Sequence, residues 1–146
     1  MRYISSIMGA LFLLFSIPLS AAELTVHITG VDEEKGGNIM VGVYESEATF
    51  LKDNGRIAEA RLPITDAKEG LLKIQFNLQN GKIYAIAAYH DANGNEKLDE
   101  NFFGIPKEGY GFSNNARGTF GPPSFEKAAF QLILKKNQFV SFYLSY

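Results

Sequence analysis

The feature that most constrains this chain is a period-two alternation of apolar and polar residues that recurs along most of its length. In the segment Glu23–Gly30, Leu24, Val26 and Ile28 fall on one face, and Thr25, His27 and Thr29 on the other. A helix repeats every ~3.6 residues and cannot gather such a set on one stripe, whereas an extended strand turns successive side chains to opposite faces. The same alternation joins Ile39, Val41 and Val43 in Asn38–Tyr44, and Leu72, Ile74, Phe76 and Leu78 in Leu71–Leu78. Glu59–Ile64 is a weaker strand, and Pro63, which lacks a ladder donor, assigns it to a sheet edge. Lys82–His90 is apolar at both parities, as a strand covered on both faces must be, so it is expected at the centre of a sheet. Ala128–Leu134 and Phe139–Tyr146 complete the set, joined through Lys135-Lys136-Asn137-Gln138.

Between these segments, Gly36-Gly37 and Asn80-Gly81 read as hairpin turns, and Ser46 to Asp53 as a short helix capped by Ser46 and ended by Gly55. About seven strands in one domain predict an all-β fold, an immunoglobulin-like or transthyretin-like antiparallel β-sandwich with one long ordered loop. A small outer-membrane β-barrel is the competing architecture. Val140, Phe142, Leu144 and Tyr146 share a face and the sequence ends on an aromatic, but several strands fall short of the ~9–11 residues that a membrane-spanning strand requires.

The first residues read as an address. One cation, Arg2, precedes an apolar run from Ile7 to Leu19 that is shorter than the ~20 residues of a membrane span. Ser20-Ala21-Ala22 then offers small residues at both positions inspected by a signal peptidase. Residues 1–22 are therefore expected to be a signal peptide cleaved after Ala22, and 23–146 a single domain in the periplasm or outside the cell. The mature chain loses Arg2 and carries 13 cations and 16 acids, a formal charge of −3. That balance gives no basic footprint for nucleic acid or anionic lipid. No membrane span is expected after cleavage. With no cysteine in the sequence, no disulfide can staple the exported fold, and the core has to hold it.

Asp91 to Pro123 breaks the alternation. Loops beyond ~12–15 residues without structure of their own tend to be functional or disordered. Phe102, Phe103, Ile105, Tyr110, Phe112 and Phe120 make this one too apolar for a solvated tail, so it is expected to fold back, with Phe102, Phe103 and Phe112 packing on the sandwich. In Asp91-Ala92-Asn93-Gly94-Asn95-Glu96-Lys97-Leu98-Asp99, oxygen-bearing side chains fall at positions one, three, five and nine, the spacing of a calcium loop. Asp91, Asn93, Asn95 and Asp99 would supply side-chain oxygens to Ca2+, and Lys97 its carbonyl. Glu96 stands where such loops use glycine, and Phe102 where they use a bidentate glutamate, so any affinity belongs at the weak end. The other reading of the same residues is an Asx-rich turn that caps its own amides.

The loop as a whole carries a resemblance. His90-Asp91, Asn93-Gly94-Asn95, Lys97-Leu98-Asp99 and the run Asn101 to Asn115, with Gly121-Pro122-Pro123-Ser124-Phe125 and Ala128-Ala129-Phe130, resemble the signature of the DUF2141 family, as do Gly81 and Tyr84–His90 ahead of them. The resemblance implies a bacterial exported protein and the extent of its domain, with no activity attached. Members of that family often have glycine where this chain has Glu96.

Catalytic signatures are sparse. There is no cysteine, no Gly-x-Ser-x-Gly elbow and no His-Glu-x-x-His helix, and the histidines are His27 and His90. His90, Lys107, Glu108, Tyr110 and Arg117 are the residues placed to meet a ligand, with Tyr110 between two glycines as the exposed contact. The expectation is a non-enzymatic binding or structural module of the bacterial envelope, recognising an envelope or extracellular ligand. The alternative is a hydrolase of cell-surface polymer that uses the loop carboxylates Asp91, Asp99 and Glu108.

Overall fold

A computed structural model describes residues 20–133 and 138–146. The apolar run of the expected signal peptide, and Leu134 to Asn137 of the expected last connection, lie outside the described residues. The strands are β1 (Ala21–Thr29), β2 (Asn38–Tyr44), β3 (Ala58–Pro63), β4 (Leu72–Gln79), β5 (Ile83–Asp91), β6 (Tyr110–Phe112), β7 (Phe130–Gln131) and β8 (Phe139–Tyr143), with a one-turn helix α1 (Phe125–Ala128) before β7. They form two open sheets. One has the order β4-β1-β8; the other runs β3-β2-β5-β6, with β7 also on β5. The expected all-β sandwich is what forms, rather than the single closed sheet of a barrel. Among the described residues no helix is long and apolar enough to cross a membrane.

The alternation explains the layers. Leu24, Val26 and Ile28 of β1, Leu72, Phe76 and Leu78 of β4 and Phe142 of β8 face Ile39, Val41 and Val43 of β2 and Tyr84, Ile86 and Ala88 of β5. Each fully buried Leu, Ile, Val or Phe among them stabilises the fold by about 1.5–3 kcal/mol before its entropy loss is counted. β5 is central, as its two apolar faces require. Its outer face presents Ala85 and Ala87 to a second cluster made by Phe50, Phe112, Ala116, Phe125 and Ala128. The free side of β5 is shared by three short pieces. β6 pairs with Ala87–Tyr89, β7 pairs with Ile83 and Tyr84, and between them Ser113 Oγ accepts the Ile86 N–H at 2.9 Å and donates to the Ala128 carbonyl.

Four expectations need correction. Gly36-Gly37 and Asn80-Gly81 are not hairpin turns: β1 and β2 lie in different sheets, and so do β4 and β5. Gly36, Gly37 and Gly81 adopt positive φ, but they arch the chain from one sheet to the other. A Cβ at Gly37 would strike the Asp91 carbonyl, so this arch also needs glycine for close approach. The segment from Ser46 to Asp53 forms turns and then a 3-10 turn at Asp53–Gly55; Leu51, at φ 63°, takes the left-handed conformation that ends helical propagation. Ala128 belongs to α1, capped by Ser124 Oγ, and not to a strand. Finally, one pairing is parallel: β8 runs alongside β1 from Thr25↔Phe139 to Thr29↔Tyr143.

Candidate functional site

The chain leaves β5 at Asp91 and returns in β6 at Tyr110, and the loop between them, 92–109, is built on two carboxylates at its base. Asp91 is fully buried, and its oxygens accept the N–H groups of Gly94 at 2.8 Å, Asn95 at 3.0 Å and Glu96 at 3.0 Å. Glu108, buried at the other end, accepts from Ala92 N–H and Asp99 N–H, both at 3.0 Å. Burying a carboxylate is costly unless hydrogen bonds replace its hydration, and here backbone N–H groups do so.

The Asx spacing continues the same pattern. Asn93 Oδ1 accepts the Asn95 N–H and Asn95 Oδ1 accepts the Lys97 N–H, while the two side-chain amides donate to Asp99 at 2.6 and 2.9 Å. Asn101 Oδ1 accepts from Phe103 and Ile105. The side chains of Asn93, Asn95 and Asp99 thus converge, as the calcium spacing requires, but the oxygens of Asp91, Asn93 and Asn95 are engaged with amides of their own loop and Lys97 contributes its N–H. Among the described residues, no group of three or more His, Cys, Asp or Glu side chains is placed to hold a metal ion. Glu96 takes φ 62°, the left-handed conformation that favours glycine, and its carboxylate pairs with Arg61 at 2.9 Å.

His90 closes the base from the strand side. It is fully buried; Nε2 lies 2.6 Å from the Gly36 carbonyl and Nδ1 2.7 Å from the Tyr146 hydroxyl. A carbonyl can only accept, so Nε2 carries the proton and Nδ1 accepts from Tyr146, whose oxygen in turn accepts the Asp32 N–H at 3.0 Å. A phenol is a donor at neutral pH, and burial raises the pKa of Tyr146 further above the ordinary value. Both ring nitrogens of His90 are engaged, so neither faces a ligand. Gly109 belongs to this contact, because a Cβ there would collide with the Tyr146 ring.

The remaining ligand candidates separate. Tyr110 is half-buried on β6, 5.9 Å from the Arg117 guanidinium, which also lies 5.0 Å over the Tyr143 ring and donates to Ser145 Oγ. Lys107 donates its backbone N–H to the Asp99 carbonyl and stands in solvent. The structure therefore gathers His90 and Glu108 at the loop base and Tyr110 with Arg117 beside β8, and it does not join the two groups into one pocket.

The tip of the loop holds what sequence reasoning missed. Phe112 packs on the sandwich as expected, but Phe102 is 97% exposed, Phe103 82% and Ile105 58%. The two phenylalanine rings meet edge to face at 5.5 Å, and Phe120 on the next loop is fully exposed. The signal that would have found this is Asn101-Phe102-Phe103-Gly104. Asn101 closes an Asx turn on Phe103 and Ile105, and Gly104 at positive φ lets the chain double back, which throws the rings outward. The other missed residue is Tyr146, whose apolar alternation suggested only a strand face.

Comparison with protein families finds one match, over residues 26–140, to a family described as an uncharacterized protein conserved in bacteria, DUF2141. No curated protein and no solved structure matches.

Proposed function

The chain thus belongs to the DUF2141 family, and we propose that it serves as an exported, non-enzymatic binding module that presents the tip of loop 92–109 to an envelope or extracellular ligand. The observation that carries this reading is the pairing of a fixed base with an apolar tip. Asp91, Glu108 and Asn101 hold the loop backbone by hydrogen bonds, so Phe102 and Phe103 are displayed on an ordered scaffold. Large exposed apolar side chains cost solubility, and contiguous ones mark sites of contact. Rings carried on an ordered loop also lose little conformational freedom on binding. The carboxylates that hydrolysis would need are engaged: Asp91 and Glu108 are tied to backbone amides and Asp99 to the amides of Asn93 and Asn95. The export signal rests on the sequence up to Ala22.

The direct experiment is co-sedimentation of purified protein with isolated sacculi and outer-membrane vesicles. The wild type should sediment with one of them, and Phe102→Ser with Phe103→Ser should lower the bound fraction by about tenfold, as loss of a buried aromatic anchor does. Equal sedimentation of wild type and double variant overturns the assignment of the tip. N-terminal sequencing of exported material should begin at Glu23; a protein that retains Met1 overturns the export reading.

A further inference from the structure

The far edges of the two sheets, β3 and β4, differ in how they meet solvent. β3 is short and sends Glu59, Arg61 and Pro63 outward. Charge and proline are what keep an edge strand from pairing with another chain. β4 has eight residues, Leu72–Gln79, no proline and a single charge, Lys73. Among the described residues no strand pairs with its outer side.

The direction of its free backbone groups follows from its neighbour. Thr25 N–H donates to the Gln138 carbonyl at 3.2 Å, and Thr29 C=O accepts from Leu144 N–H at 2.9 Å, both on the β8 side of β1. Residues of that parity on β1 turn their backbone groups away from β4. Gln75 stands opposite Thr25, Lys73 opposite His27 and Asn77 opposite Glu23, so these three turn their own N–H and C=O groups to the open edge. Their side chains are exposed, while Leu72, Phe76 and Leu78 are buried and Ile74 half-buried.

We infer that β4 is the contact surface for a second copy of this chain, the two β4 strands running antiparallel about a two-fold axis at Gln75. Residues Leu72 to Leu78 are self-complementary about that point. Gln75 meets its own copy, and Lys73 meets Asn77 of the second copy, each pair exchanging N–H···O bonds. Leu72 falls opposite Leu78 and Ile74 opposite Phe76, so the apolar face of one sheet continues into the next. No like charges face each other, and a closed isologous contact results. A single strand pair buries less than a standard interface, which puts the dissociation constant at about 10–100 µM.

Sedimentation velocity on the purified protein from about 1 to 500 µM tests this, the range being set by that affinity. The wild type should pass from monomer to dimer with concentration. Asn77→Lys sets Lys73 against a lysine twice across the axis, yet within the monomer it faces Glu23. It should therefore stay monomeric throughout, with an unchanged melting temperature. Lys73→Glu combined with Asn77→Lys restores opposite charges across the axis and should return the dimer. A wild type that is monomeric at the highest concentration overturns the inference. So does an Asn77→Lys variant that associates like the wild type, or a double variant that remains monomeric.

Discussion

The base and the tip of loop 92–109 are built on opposite terms. At the base, Asp91 and His90 are fully buried and every buried side-chain polar atom described there has a partner; at the tip, Phe102 and Phe103 are almost fully in water. Residues at the base hold the loop to the sandwich, and those at the tip are left in solvent. The difference shows that the loop's long departure from strand periodicity is not slack. The polar residues of the segment do the folding, and its most apolar residues are left over for something else.

Substitutions should separate the two ends cleanly. The largest loss is expected from Ile86→Ala, fully buried on the inner face of β5, at about 2–5 kcal/mol in urea unfolding. Asp91→Ala should follow at about 3 kcal/mol, since it removes a fully buried carboxylate that accepts three backbone amides at once. A loss below about 1 kcal/mol would place the base on the same footing as an ordinary surface loop. Tyr146→Phe removes one hydroxyl that joins His90 to Asp32 and should cost about 1 kcal/mol. Phe102→Ser with Phe103→Ser should move stability by no more than about 0.5 kcal/mol, and a larger loss would mean that the tip packs after all.

Two solution measurements refine the contrast. Because the oxygens of Asp91, Asn93 and Asn95 are engaged with loop amides, millimolar Ca2+ should leave the melting temperature where it is, and a rise reversed by chelator would give the loop a cation. Burial raises the pKa of Tyr84, Tyr89 and Tyr146 above the ordinary value. The folded state then holds protons that the unfolded state releases above pH about 10, so stability is complete below that pH and falls as pH rises through the folded values. Tyr146→Phe should blunt this fall slightly, because its ring is half-exposed and screened.

Much of the sandwich was legible because alternation is a direct record of a two-faced strand. Asn38–Tyr44 is the expected strand to the residue, and the double apolar parity of Lys82–His90 announced the central position of β5. What alternation does not encode is which sheet a strand joins. Gly36-Gly37 and Asn80-Gly81 supply positive φ, and an arch between sheets needs that as much as a hairpin does. The pairing of β1 with β8 leaves no local trace at all. In the loop, the spacing of Asp91, Asn93, Asn95 and Asp99 correctly implied convergence, yet an oxygen spaced for a cation is also spaced for an amide two to five residues on. The exposure of Phe102 was illegible for a different reason: composition gives a tendency to burial, and only the turn at Asn101 decides otherwise.

The place of β1 has a consequence for the order of events in synthesis. It is the middle strand of its sheet, with β4 on one side and β8 on the other, and β8 follows all the other described strands in sequence. A nascent chain therefore emerges with its first strand able to pair on one side while its second neighbour is still unmade. Until β8 arrives, Val26 and Ile28 line a half-built sheet with a bare edge. Such distant pairing is slow to find, on the order of milliseconds to seconds for β-rich topologies. This sheet is completed only once β8 has been made, and until then the bare side of β1 is open to pairing with another strand.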